Sequence, residues 1–326
     1  DAKDDALHSN GNIYLTGGAY TLSAGDDGIH AEAAVIADGT MIDVLKSEEG
    51  LEGWQISVLN SDVKLTANDD AINATNSASD GMDFGGQGGM APGGQQMPDM
   101  GQMPDEMERP EDGEVPKLPD GMEIPEGDMA PGETSTDAEI FVKFVNTNVV
   151  INAGGDGIDS NGSVYMDGGM VVVYGPENSG NGGLDYATSF ELVSGTLLVL
   201  DVSGMNMSPS VCKVPGFDAN LGSYLTAGDV IYVSTEGYSY YIPVVKKCNH
   251  ITLVAPDMAE GDVVSVVTGG NYDGSISTPI ATSGSYEGGS EVASLTLTSG
   301  ISGNGMNGME GFGGHGGPGG GKGDRW

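Results

Sequence analysis

Carboxylates recur in this chain in pairs, each inside a five-residue phrase. Asp4 and Asp5 open DDALH, Asp26 and Asp27 open DDGIH, Glu48 and Glu49 open EEGLE, and Asp69 and Asp70 open DDAIN. GDGID supplies Asp156 and Asp159, and NGGLD (181–185) is a weaker sixth copy. Hard oxygen ligands of this kind suit calcium, which takes about 6–8 oxygens at roughly 2.3–2.6 Å. The candidate calcium ligands are therefore Asp4, Asp5, Asp26, Asp27, Glu48, Glu49, Asp69, Asp70, Asp156 and Asp159. The competing reading is that the acids cap turns and accept hydrogen bonds from corner amides. Zinc and copper are disfavoured, because the phrases offer only His8 and His30 as softer ligands. The fifth position of the phrase (His8, His30, Glu52, Asn73, Asp159, Asp185) is expected to face outward. There His8 and His30 form either a solvated pair or the two flanks of a ligand.

The spacing says what must hold these acids. The second position falls at Asp5, Asp27, Glu49 and Asp70, in steps of 22, 22 and 21 residues. A fixed period of this size marks stacked coils. Each phrase is followed by a strand, a turn and a second strand: NIYLT, Gly17-Gly18, AYTLSA after the first, and AVIAD, Gly39, MIDVLK after the second. The segments favour Val, Ile, Leu, Thr and Tyr, which are strand formers. No pattern of helical periodicity interrupts them. The fold class expected is all-β, a single-stranded parallel β-helix, right-handed by the rule for parallel crossovers. In the phrase itself the fourth residue is always aliphatic and should stack inside the coil. The third is always Gly or Ala, which permits a tight bend between the acid and the strand. Stacked at about 4.8 Å, the acids would form two rows of like charge, which must protonate, turn to water or bind cations.

One coil is interrupted. Asp70 and Asp156 are 86 residues apart, 64 more than one period. The excess maps to 75–138, which holds 8 of the 16 Met and 8 of the 15 Pro with much Gly and acid, so it cannot bury a core and should be disordered. Its thioethers lack His or Cys to help hold copper, and self-association through them stays open. Past Gly204 the period fades, and further strands are expected to finish and cap the coil. The organisation expected is one β-helix domain over 1–302 and a Gly-rich, disordered tail over 303–326. The chain opens inside a repeat, which suggests coils trimmed from its start.

A net charge of −37 disfavours nucleic acid and anionic membrane as partners. No apolar run reaches the length of a membrane span. Cys212 and Cys248 are too few for a disulfide framework and could form one bridge.

The D-D-G-I phrase with its strand and Gly-Gly turn, together with EGDVVSVVTGG near the C-terminus and the Gly/Met-rich tail, resembles the clostridial carbohydrate-binding β-helix proteins. GGDGIDSNG also resembles the RTX calcium nonapeptide, but it lacks the eighth-place apolar residue and a tandem copy, so that family is set aside. The resemblance to the β-helix proteins covers roughly 4–270 apart from the insertion. It implies a pectate-lyase-like fold and a secreted or cell-surface protein. It further implies calcium and an acidic plant polysaccharide such as polygalacturonate as ligands. Calcium positions carried over are Asp26, Asp27, Glu48, Glu49, Asp69, Asp70 and Asp156, whereas no sugar-contacting residue carries over. Trp54, Tyr165, Tyr174 and Tyr186 are the candidates for stacking on sugars, against plain strand packing. Two other functions compete with a noncatalytic binder. A structural or adhesive subunit would use calcium as mortar between coils. A calcium-dependent polysaccharide lyase needs a base. Arg109 and Arg325 lie off the coils, so that base would be Lys46, Lys64 or Lys143.

Overall fold

The computed structural model describes residues 1–75 and 139–303. The Met- and Pro-rich insertion from 76 to 138 and the tail from 304, with the disorder expected of both, lie outside the described residues.

The phrases do start successive coils. The first coil holds β1 (Leu7–Ser9), β2 (Ile13–Thr16) and β3 (Ala19–Ser23), and the second β4 (Ile29–Ala31), β5 (Ala34–Asp38) and β6 (Met41–Lys46). The third holds β7 (Leu51–Gly53), β8 (Gln55–Leu59) and β9 (Asp62–Ala67). In the last three coils the second and third strands merge into one. These coils are β10 (Ile72–Ala74) with β11 (Phe141–Ala153), β12 (Ile158–Ser160) with β13 (Ser163–Tyr174), and β14 (Leu184–Tyr186) with β15 (Ser189–Asp201). Strand β10 sits between β7 and β12, and β11 pairs with β8, β9 and β13, so the fourth coil resumes in register across the insertion. All of these pairings are parallel. The described residues contain no helix, and so none long and apolar enough to cross a membrane.

Three apolar columns fill the coil. Leu7, Ile29, Leu51 and Ile72 stack on the short sheet, and Ile158 and Leu184 continue them. Ile13, Val35, Ile56, Val142, Val164 and Phe190 form the second column. Tyr20, Ile42, Val63, Val149, Val171 and Leu197 form the third. From the second coil onward these side chains are buried, a gain of about 25 cal/mol per Å² of apolar surface removed from water. The corner between the second and third columns needs left-handed backbone. Gly17, Gly39 and Gly168 supply it with φ of 71°, 63° and 82°, and Asn60 and Asn146 with φ of 48° each. In the fourth coil the turn therefore falls at Asn146.

Parallel stacking ends at β15, which carries β16 (Val211–Cys212) on part of its edge. The remaining elements are β17 (Gly216–Leu225), β18 (Val230–Ser234), β19 (Ser239–Pro243), β20 (Cys248–Val254), β21 (Val263–Asp273), β22 (Ser285–Thr296) and β23 (Ile301–Gly303). Strand β20 lies antiparallel between β15 and β17, and β19-β18-β21-β22 form an antiparallel sheet. A second core joins them: Phe217, Ile231, Ile242 and Leu253 pack with Val172, Tyr174, Leu198 and Leu200 from the last two coils. This explains the unbroken apolar runs VVVY and LLVL, whose strands are covered on both faces. Cys212 and Cys248 are both free thiols.

Where β15 meets β20, His250 is buried between two acids, with Nδ1 2.8 Å from Asp201 Oδ1 and Nε2 3.0 Å from Asp218 Oδ2. Burial disfavours its charge, but hydrogen bonds and attraction from Asp201 and Asp218 outweigh that and raise its pKa from 6.5 to about 9. Asp218 is held below its ordinary value: burial alone would raise it, and His250, Ser208 and Thr252 overcome that. The proton on His250 stabilises the fold fully below about 6.5, and its contribution is lost as pH rises through about 9. His250→Gln leaves two buried acids without their partner and should destabilise by about 3 kcal/mol at pH 6. Denaturant unfolding followed by circular dichroism should show the gap between wild type and variant shrinking from pH 6 to pH 10. A gap that stays constant would refute the charged triad.

Candidate cation-binding corner

The acids sit where the third strand of one coil bends into the first strand of the next. The bend uses Gly28, Gly50, Gly157 and Gly183, with Ala6 and Ala71 in equivalent places. None of these glycines has positive φ. Small residues are required there because the neighbouring coil is close: a Cβ on Gly50 would lie 2.3 Å from the Ala71 carbonyl oxygen, and one on Gly28 2.6 Å from that of Gly50.

Four of the second-position acids, all but Glu49, accept an amide of the next coil and form a ladder along the coil axis. Asp5 Oδ1 accepts the N–H of Asp27 at 3.1 Å, and Asp27 Oδ1 that of Glu49 at 3.2 Å. Asp70 Oδ1 accepts the N–H of Asp156 at 2.6 Å, and Asp156 Oδ1 that of Gly182. At the sixth coil, Asp201 takes over and accepts the N–H of Gly183 at 2.8 Å. Corner-amide capping is therefore present. It occupies one carboxylate oxygen of each acid in the ladder.

The bend turns these acids only part of the way to water. Asp27 is 6% exposed, and Asp5, Glu49, Asp70 and Asp156 are half-buried. Their free oxygens face the fifth-position column. Asn73 Nδ2 donates to Glu49 Oε2 at 2.9 Å, and Asp70, Asp156 and Asp159 bring one oxygen each within 4.8 Å of the others. Asp4, Asp5 and Asp26 converge in the same way. Asp27 groups with His30 and Glu52, and Asp5 with His8 and His30. The first-position acids Asp4, Asp26, Glu48 and Asp69 are exposed. Glu48 accepts from Asn68 Nδ2 at 2.9 Å, and Glu48, Glu49 and Asp69 join none of the converging groups among the described residues. The main juxtaposition is thus between the second and fifth positions, and it brings in Glu52, which was not among the expected ligands. The spacing i, i+3 across a bend is the signal that could have found it.

Charge accumulates here with little to oppose it. Among the described residues, no lysine or arginine forms an ion pair with these acids; Lys213 pairs with Glu191, elsewhere. Burial, with Asp27 and Asp70 adding repulsion against a hydrogen bond from Asn73, pushes Glu49 up to about 8. Burial, a hydrogen bond with Asp27 and repulsion from Glu49 push Glu52 up to about 9. Burial and neighbouring acids raise Asp70 to about 7 and Asp159 to about 6, and move Asp156 in the same direction. Gly155 lets the chain pass close against these acids, since a Cβ there would lie 2.2 Å from Asp69 Oδ1 and 2.4 Å from Asp70 Oδ1. An all-oxygen donor set suits calcium.

The aromatic candidates do not form a sugar platform. Trp54, Tyr174 and Tyr186 are 8%, 7% and 9% exposed, and Tyr165 is tied to Glu139 by its hydroxyl and to Phe141 by its ring. Over the sheet of β3, β6, β9 and β11 lies an open groove of about 440 Å³, whose lining includes Tyr20, Met41, Asp43, Asp62, Lys64 and Asn148. Lys46 and Lys64 are exposed, Lys143 is half-buried, and none of the three forms an ion pair with a described residue.

A family model described as "Carbohydrate-binding domain-containing protein" matches residues 1–87, which span the first four acidic phrases. No curated protein and no solved structure matches the chain. The family match supports a carbohydrate-binding role.

Asp70→Asn tests the electrostatics of the corner. The amide keeps the acceptor oxygen for Asp156 N–H and removes one of the crowded charges. In chelator at pH 8 the variant should melt above wild type, by roughly 2–4 °C per kcal/mol of repulsion relieved. It should also lose part of any calcium-induced rise. A variant that melts below wild type in chelator would show that the charge itself supports the fold.

Proposed function

We propose that this chain is a noncatalytic extracellular carbohydrate-binding protein. In this reading it uses calcium at its acidic corners to hold an acidic polysaccharide such as polygalacturonate. The observation that carries the proposal is the column of partly buried carboxylates without lysine or arginine partners among the described residues, whose first four pairs, Asp4 to Asp70, lie within the residues 1–87 that the carbohydrate-binding family model matches. An acidic protein and an acidic polymer repel each other unless cations stand between them. Asp70, Asp156 and Asp159 would hold calcium, with Asp4, Asp5 and Asp26 as a second oxygen-only group. Calcium bound there would supply positive charge and open coordination positions to a uronate carboxylate. The groove along β3, β6, β9 and β11 supports room for an extended chain on a neighbouring sheet.

A second reading makes calcium the mortar of a structural or adhesive subunit. The carboxylate-to-amide ladder favours it, because the acids already bind one coil to the next. Catalysis is the weakest reading, since Lys46, Lys64 and Lys143 form no ion pair with the corner acids among the described residues and the matching family is described by binding.

Mixing the chain with polygalacturonate in calcium and then in excess chelator should give binding in the first buffer alone, with no growth of the ultraviolet absorbance of unsaturated uronates. Absorbance growth would make the chain a lyase. Absence of binding in both buffers would overturn the uronate reading and leave the structural one.

A further inference from the structure

The first two coils differ from the rest of the corner in carrying imidazoles. His8 and His30 are registered opposite each other on β1 and β4, so the parallel pairing sets their rings one coil apart, with centroids 4.9 Å from each other. Three features of this cluster go beyond two solvated histidines. His8 Nε2 lies 3.0 Å from Asn10 Oδ1, an outer hydrogen bond that would orient the ring with Nδ1 as its ligating nitrogen. That Nδ1 is 2.8 Å from Asp5 Oδ2, a hydrogen bond whose proton an entering cation would displace. His30 Nδ1 has three carboxylate oxygens around it: Asp5 Oδ2 at 3.5 Å, Asp27 Oδ2 at 3.6 Å and Glu52 Oε2 at 3.4 Å. All three exceed the usual N–H···O range of about 2.7–3.2 Å. They match the edges of a metal tetrahedron, because bonds of about 2.0–2.2 Å to nitrogen and oxygen put neighbouring ligands about 3.3–3.6 Å apart.

We propose that His8, His30 and Asp5, whose ligand atoms converge, form a binding site for a borderline divalent cation of the zinc class, with the fourth position open to solvent. Mixed imidazole and carboxylate donors select such an ion over calcium, which prefers oxygen alone. Asp5 Oδ1 is already tied to the Asp27 amide, so Oδ2 is presented with its orientation fixed. Asn10 orients the His8 ring as an outer partner. His8 is 42% exposed, so the ion would be reachable from solvent. Sequence reasoning discounted zinc because two histidines are few. Stacking at one-coil spacing makes two sufficient, since both rings converge on Asp5 Oδ2. The site shares Asp5 with the second oxygen-only group of the proposed function and leaves Asp70, Asp156 and Asp159 untouched.

The test uses the full chain, stripped of metal and returned to buffer with excess calcium. Zinc is titrated against a chromophoric competing chelator, while the imidazole nitrogen signals are followed by NMR. Wild type should bind one zinc ion at the corner despite the calcium, with the His8 and His30 ring signals shifting together. His8→Gln, His30→Gln and Asp5→Asn should each weaken zinc by about tenfold or more. Cys212→Ser should leave it unchanged, because that thiol lies outside the cluster. The NMR readout needs no variant to fold. Zinc binding that survives both His8→Gln and His30→Gln, or that leaves both ring signals in place, would overturn the site. The imidazoles would then be only cationic partners of the acids around them.

Discussion

A carboxylate that accepts the backbone N–H of the coil above it is the interaction on which this corner turns. It recurs at Asp5, Asp27, Asp70 and Asp156, and Asp201 ends the series with a bond to Gly183 of its own coil. Each bond pins one oxygen and stacks coils that already share three apolar columns. The same geometry repeats the charge at about 4.8 Å, with burial lowering the dielectric around it. Order along the axis and repulsion along the axis therefore have one cause. Glu49, Glu52, Asp70 and Asp159 record the tension by holding their protons far above the ordinary carboxylate range.

The chain relieves that tension differently at its two ends. In the first coils, His8 and His30 stand among the acids. At the sixth coil the second position is Gly182 instead of an acid, and Asp201 is neutralised by His250, which also contacts Asp218 on β17. The carboxylate series thus ends at the strand pairing where the parallel stack gives way to antiparallel strands and a second core. Between the ends, around Asp70, Asp156 and Asp159, no protein cation intervenes among the described residues. That is the stretch with the greatest need of a bound ion.

Much of this was legible in the residues. The 22-residue step, the aliphatic fourth position and the Gly or Asn turns specify a parallel coil, because a stacked fold repeats its solution at each level. The interruption after Thr75 was legible for the same reason, since the phrase resumes at Asp156 in register. The direction of the C-terminal strands was not legible. Runs such as LLVL announce burial on both faces without saying that the second cover is an antiparallel sheet. The partnership of second and fifth positions was also hidden. Strand alternation places them on opposite faces, and only the bend at the third residue brings Asp70 and Asp156 toward Asp159, or Asp27 toward Glu52. His250 gave no signal at all, because its partners Asp201 and Asp218 are distant in sequence and none of the three belongs to a repeat.

The central claim is that the acidic column binds divalent cations at defined sites and is not merely screened by salt. Thermal unfolding of the full chain at pH 8 decides this, comparing calcium chloride with sodium chloride at equal ionic strength. Site binding predicts a melting temperature that climbs with calcium concentration as mass action requires, with sodium producing little change. Equal shifts in the two salts would mean that screening alone relieves the column, and would contradict the claim.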